Sequence, residues 1–185
     1  QAVQLFRRAY GDMKPEESAW DRGPAVVDPF RPLVEPGGFT DVAALDHDRA
    51  AHLAATRRVF EESDVLVFTL GLTEAWRSRS DGSVFATAPG VDGGEYDPDR
   101  YEFVNYDLDA VRTGLFDLCD LYRSVNPDGR VLLTVSPVPL IATYEDRHVL
   151  VSTTWSKSVL RIAAEDAYQR YDFVDYFPSY ELISS

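Results

Sequence analysis

The sequence predicts an α/β protein with a parallel sheet and crossover helices. Two apolar runs, Val65–Leu70 and Arg130–Ser136, are short enough for buried strands, and each follows a long segment of helical periodicity. A third strand is expected at Asp172–Phe177, after another helical segment. Helix and strand alternate along the chain, as βα units joined by crossover helices require. Val65, Leu66, Val67 and Phe68 offer water no polar side, so that run reads as a strand buried on both faces.

Ala2–Tyr10 places Val3, Phe6 and Tyr10 on one helical face and stops at Gly11. Between Pro15 and Phe39, Pro24, Pro29, Pro32 and Pro36 break any regular pattern. Residues 12–40 therefore read as an extended segment wrapped over the core and pinned by Trp20, Phe30, Leu33, Val34 and Phe39. Thr40 or Asp41 caps a helix running to about Glu62, with Ala50, Leu53, Ala54, Arg57 and Phe60 at helical spacing. After Val65–Leu70, Gly71 lets backbone come close to whatever sits at the strand's carboxyl end. A short strand at Ser83–Ala88 is expected to pair with Tyr101–Tyr106 across the turns of Pro89-Gly90 and Asp92-Gly-Gly94.

Asp107 or Asp109 caps the next helix, which buries Val111, Leu115, Leu118, Tyr122 and Val125 and ends at Asn126-Pro-Asp-Gly129. Pro137 and Pro139 stop the Arg130–Ser136 strand. The last long helix is expected from about Thr154 to Tyr171, with Val159, Ile162, Ala163 and Ala167 inward.

At 185 residues the chain reads as a single domain, and 45% hydrophobic residues fit a folded one. The net charge of −13 argues against nucleic acid or an anionic membrane surface as partner, and only Arg7–Arg8 and Arg57–Arg58 pair basic residues. Cys119, the sole cysteine, leaves no internal disulfide and no cysteine-rich metal site. The acidic residues of Asp92–Asp99 lack calcium-loop spacing, and no phosphate-cradling glycine motif follows a predicted strand. No metal, cofactor or membrane-inserted segment is expected, and a soluble, cytoplasmic location is the default.

The blocks TLGLTEAW (Thr69–Trp76), LLTVSPVPL (Leu132–Leu140), RHVLVSTTWSKSVLR (Arg147–Arg161) and VDYFPSYE (Val174–Glu181) occur in this order, with DPFRP (Asp28–Pro32) and EPGGF (Glu35–Phe39) before them. Together they resemble the family named after its Gly-Ser-Cys-Phe-Ala signature, the GSCFA family, which belongs with the SGNH (GDSL-like) hydrolases. The resemblance implies a flavodoxin-like three-layer α/β/α sandwich and serine esterase or O-acyltransferase chemistry on acylated carbohydrate. A non-catalytic glycan- or protein-binding member of the same fold is the alternative.

The family's nucleophile and base motifs have no counterpart here. No Ser-Cys pair occurs, and His47, His52 and His148 follow Ala44, Arg49 and Glu145 at the Asp-x-x-His spacing. The resemblance thus implies the middle of a domain, lacking its first strand or strands and inactive by itself. Its Gly-x-Asn block falls on Gly71-Leu72-Thr73, with threonine in place of asparagine, so Gly71 and Thr73 are the expected oxyanion-side residues.

Glu74 and Trp76 follow as sugar contacts by hydrogen bonding and stacking, although Trp76 suits the sheet edge equally well. Ser136, at the end of the second strand, is either a ligand contact or a strand-ending hydroxyl. His148 is a conceivable substitute base for Ser136, with Glu145 or Asp146 to orient it. Ser156 and Lys157 read either as an anion-facing helix start or, for Ser156, as a cap. The Val65–Leu70 strand, as a sheet edge, is expected to pair with residues outside this sequence, with a second copy, or with Pro15–Phe39.

Overall fold

A computed structural model describes residues 1–85 and 87–184, so Ala86 of the expected Ser83–Ala88 strand lies outside the described residues. Helix α1 (Ala2–Tyr10) precedes strands β1 (Trp20–Arg22) and β2 (Ala25–Val27). Next come α2 (Val42–Glu62), β3 (Val65–Leu70), β4 (Glu74–Ser78), β5 (Val84–Phe85) and β6 (Tyr101–Asn105). The order closes with α3 (Leu108–Val125), β7 (Arg130–Val135), α4 (Val149–Arg170), β8 (Val174–Phe177) and α5 (Ser179–Ser184). This is the mixed α/β class expected, a parallel sheet with helices, consistent with a three-layer α/β/α fold. The chain divides into two compact units, Gln1–Arg57 with Ala75–Val104, and Arg58–Glu74 with Asn105–Ser185.

In the first unit, Gly11 ends α1 in the left-handed conformation (φ 82°), where its N–H donates to the carbonyls of Arg7 and Arg8. The proline-rich stretch is not merely extended, because β1 and β2 pair as an antiparallel hairpin around Gly23. Val26 also exchanges two backbone hydrogen bonds with Phe39, of 3.0 and 2.8 Å. Trp20 pins this segment, buried with Val27, Phe85 and Tyr101, whereas Leu33 and Val34 are exposed. Glu17 satisfies the core's polar edges, accepting from Trp20 Nε1 at 2.6 Å and the Tyr101 hydroxyl at 2.7 Å.

Tyr101–Asn105 does not pair with Val84–Phe85. β4 runs between them in the order β5-β4-β6, in residues for which no strand was expected. Helix α2 is capped by Asp41, whose Oδ1 accepts the Ala44 N–H at 2.8 Å. Its inner face carries Leu45, Asp48, Arg49, His52, Leu53 and Phe60, leaving Ala50, Ala54 and Arg57 exposed. Arg49 and His52, not the expected Ala50 and Ala54, turn toward the core on that face.

The second unit holds the parallel sheet in the order β3-β7-β8. α4 lies against β7 and β8, with α3 alongside it, and Leu115, Leu118, Cys119, Tyr122, Val159, Leu160, Ala163, Ala164 and Ala167 are buried. Ile162, expected inward, is instead exposed. Asp107 caps α3 through a 2.9 Å bond from the Ala110 N–H. Central β7 is the buried strand, with Val131, Leu133, Thr134 and Val135 all buried.

The expectation for β3 needs correction. Its side chains alternate, Val65 and Val67 being 49% and 61% exposed while Leu70 is buried. One face of β3 is therefore uncovered, and β3 is also the edge strand, paired only with β7 among the described residues. Among the described residues β1 and β2, the strands of Pro15–Phe39, form a separate two-stranded sheet.

A small buried network ties the start of β3 to the end of α3. Ser63 O accepts from the Tyr122 hydroxyl at 3.0 Å and Asn126 Nδ2 at 2.9 Å, and Asn126 Oδ1 accepts the Gly129 N–H at 2.9 Å. A methyl group on Gly129 would overlap the Tyr122 hydroxyl and stand 2.7 Å from Asn126 Cγ. Gly129→Ala is therefore expected to destabilise by about 1–3 kcal/mol, read by urea unfolding.

Candidate functional site

β3 and β7 end together, the Ser136 N–H donating to Leu70 O at 2.9 Å. Beyond Leu70 the chain turns through Gly71-Leu72-Thr73, with Gly71 and Leu72 exposed and Thr73 1% exposed. This is the carboxyl end of a parallel strand, where open α/β sheets place their ligands. Helix α4 holds the turn from inside. Lys157 Nζ donates to Gly71 O at 2.8 Å, and Ser156 Oγ accepts the Thr73 N–H at 3.0 Å. Ser156 is fully buried and Lys157 is 1% exposed.

Ser156 does not cap the helix. α4 begins at Val149, capped by His148, so Ser156 and Lys157 lie about two turns inside it.

The polar contacts continue outward from Thr73. Its hydroxyl donates to Asn105 Oδ1 at 2.6 Å, and its carbonyl accepts the Tyr106 N–H at 3.0 Å. Nearby in the same unit, the Glu145 carboxylate pairs with Arg147 and accepts the Ser152 hydroxyl at 3.3 Å. Arg147 Nε donates to Ser152 Oγ at 2.9 Å. Asn105 foremost, with Arg147 and Ser152, holds the Glu145 carboxyl below its usual range. Burial pushes the Lys157 ammonium below its ordinary value.

The structure thus brings Gly71, Thr73, Ser156 and Lys157 together across more than 80 residues of sequence. Glu74 lies next to them in sequence, its Oε1 accepting the Thr143 hydroxyl at 2.6 Å. Trp76 belongs to the first unit, edge-on to Tyr96 and Phe103 with ring centroids 5.4 and 5.9 Å away. Ser136 Oγ accepts the Val138 N–H at 3.2 Å, and His148 Nδ1 accepts the Leu150 N–H at 3.2 Å. Each closes its own turn, and no hydrogen bond between Ser136 and His148 occurs among the described residues.

Asn105, Glu145 and Ser152 were missed as neighbours of Thr73. Nothing local marks them, because they meet only through the turn and α4. Chemically, the turn presents the exposed Gly71 and Leu72 backbone in front of a buried cation, an arrangement suited to developing negative charge. Among the described residues no three His, Cys, Asp or Glu side chains converge as a metal site, and no helix is long and apolar enough to cross a membrane.

A parallel sheet with crossover helices, and a glycine turn held at the end of its edge strand, define an α/β protein with a candidate site at that strand end. The chain belongs to the GSCFA family, which it matches over residues 1–185. No curated protein and no solved structure matches it.

Proposed function

We propose that this chain contributes to an SGNH-type serine esterase or O-acyltransferase acting on acylated carbohydrate, with Gly71-Leu72-Thr73 on the oxyanion side. The observation that carries this reading is the turn itself, at the carboxyl end of β3 and fastened to α4 by Lys157 and Ser156. Thr73 spends its N–H on Ser156 and its hydroxyl on Asn105, so the donors offered to an acyl oxygen are the N–H groups of Gly71 and Leu72. One such donor contributes roughly 3–4 kcal/mol to a transition state. In this reading the free edge of β3 receives a further strand, from residues outside these 185 or from a second copy.

Titrating an O-acetylated oligosaccharide into the 15N-labelled chain is expected to give saturable shifts at the Gly71, Leu72 and Thr73 amides. Saturable shifts elsewhere, with these amides unmoved, would overturn the assignment. The chain has neither a Ser-Cys pair nor Asp-x-x-His, so no serine-dependent turnover of an activated acetyl ester is expected from it. Observed turnover of that kind would contradict the reading.

Gly71→Ala separates ligand space from folding. Gly71 has no positive φ, and an added Cβ would meet nothing within 4 Å. The variant should be unchanged in stability or gain about 0.4–1 kcal/mol, through a less flexible unfolded chain. Oligosaccharide affinity should nevertheless fall, because the methyl group fills the space over the turn.

The internal use of both Thr73 donors favours a second reading, a glycan-binding member without catalysis. Equal affinity for acetylated and deacetylated oligosaccharide would select it.

A further inference from the structure

The first unit buries a second polar cluster, which the acyl-transfer reading does not use. Asp28 is fully buried in the turn after β2, its Oδ1 accepting the Phe30 N–H at 2.9 Å. Its Oδ2 accepts from Arg49 Nε at 3.1 Å, with Arg31 Nη2 3.5 Å away. Arg49 is otherwise complete, with Asp46 at 2.7 Å and the Ser18 carbonyl as further acceptors.

Arg31 and Arg8 are not complete. Arg31 Nη2 reaches Asp48 at 2.7 Å, but its Nε is buried without a hydrogen-bond partner. Arg8 is 8% exposed, its guanidinium stacked 3.9 Å from the Phe30 ring centre. Among the described residues Arg8 has no carboxylate within ion-pair distance, although Asp28, Arg31 and Arg49 all act on its charge.

One buried carboxylate therefore has two guanidiniums within 3.5 Å and a third, Arg8, in its field, while the other two acids are half-exposed rim residues, Asp46 at 58% and Asp48 at 41%. Arginine does not shed its proton in a protein, and a buried cation without an acceptor is costly. An unsatisfied buried donor in a native fold calls for an explanation, and an ion is one of those open to a guanidinium. Guanidinium forks match the oxygens of phosphate, sulfate or carboxylate. Burial foremost, then the fields of Arg31 and Arg8 against those of Asp28 and Asp48, lower the pKa of His52, on the same face of α2.

We propose that Arg8 and Arg31 form a binding site for a small oxyanion, a phosphate-, sulfate- or carboxylate-type group, beside Asp28 and Phe30. In a chain of net charge −13 this is a local reversal of sign. It rests on residues separate from the Gly71 turn, so either reading can fail without the other.

The test is thermal unfolding of the whole chain at fixed ionic strength, with chloride replaced stepwise by phosphate, sulfate or acetate, and by hexose phosphate in a further arm. Wild type is expected to show a saturable rise in midpoint with at least one oxyanion. Arg8→Met should need roughly ten times more anion for the same rise, and Arg8→Lys should fall between, keeping the charge but losing the fork. Saturable stabilisation by hexose phosphate as well would place an esterified group in the site, whereas inorganic phosphate alone would place a free anion there.

A non-saturable rise shared by wild type and Arg8→Met is an ordinary salt effect and would overturn the proposal, as would no rise relative to chloride. If Arg8→Met fails to fold, saturable 15N shifts in wild type at the Arg8 and Arg31 side-chain Nε–H groups decide the matter. Their absence at saturating phosphate counts against the site.

Discussion

Asp28→Asn is expected to cost about 3–5 kcal/mol of folding stability. The substitution keeps the shape, and the amide oxygen can still accept the Phe30 N–H that Oδ1 takes at 2.9 Å. What disappears is the negative charge facing Arg49 Nε at 3.1 Å and Arg31 Nη2 at 3.5 Å. Those guanidiniums, with Arg8 in the same field, are left charged in a desolvated place and cannot neutralise themselves. Removing one partner of a buried pair is far more damaging than the net worth of the pair.

Urea unfolding followed through tryptophan emission measures the loss, because Trp20 and Trp76 both lie in the first unit. Asp46→Asn is the control. It removes an acid 58% exposed from the same Arg49 and should change stability by no more than about 0.5 kcal/mol. Equal losses from the two variants would mean that Asp28 does not act as a buried counter-charge. If the oxyanion site exists, phosphate should also recover more stability in Asp28→Asn than in wild type, since the local positive excess is larger.

This cluster shows why part of the structure was legible in the sequence and part was not. Apolar runs and helix caps act over a few residues, so β7, β8 and the caps at Asp41 and Asp107 were readable from neighbours alone. Arg8 was not. A buried arginine makes sense only with Asp28 and Phe30, 20 and 22 positions on, and Arg49 beyond them, and no periodicity connects the four.

The same holds for β4. Glu74-Ala-Trp-Arg-Ser has neither alternation nor an apolar run, and is a strand because β5 and β6 flank it. On α4, the threonines at 153 and 154 looked like a start, but Thr153 Oγ1 accepts the Leu140 N–H and Thr154 bonds back to the Leu150 carbonyl. With the true start at Val149, Ser156 and Lys157 move from a solvent-facing helix end to its buried interior. That shift turned two peripheral candidates into the supports of the Gly71 turn.

Lys157→Ala should therefore cost about 2–5 kcal/mol, combining the lost packing of a buried stem with a Gly71 carbonyl stripped of its donor. Lys157→Met tests the two parts separately. It refills the space with a flexible apolar chain and avoids burying a charge, so its stability should stay within about 1.5 kcal/mol of wild type near neutral pH. Hydrogen exchange at Gly71, Leu72 and Thr73 should nevertheless quicken, because the turn has lost its tether to α4.

The pH dependence has a definite sign. Burial lowers the folded-state pKa of Lys157 below its ordinary 10.5, so just below that pH the unfolded chain binds more protons than the folded one. Stability from this group accordingly rises with pH through that window. Tyr171, Tyr176 and Cys119 act in the opposite direction, since burial pushes each up to about 12 and unfolding lets them ionise earlier. The wild-type curve mixes both effects, and the difference between wild type and Lys157→Met isolates the lysine. That difference should shift in favour of wild type as pH approaches 10.5. A flat difference would mean that Lys157 is solvated rather than buried under the turn, and the Gly71 loop would then need another support.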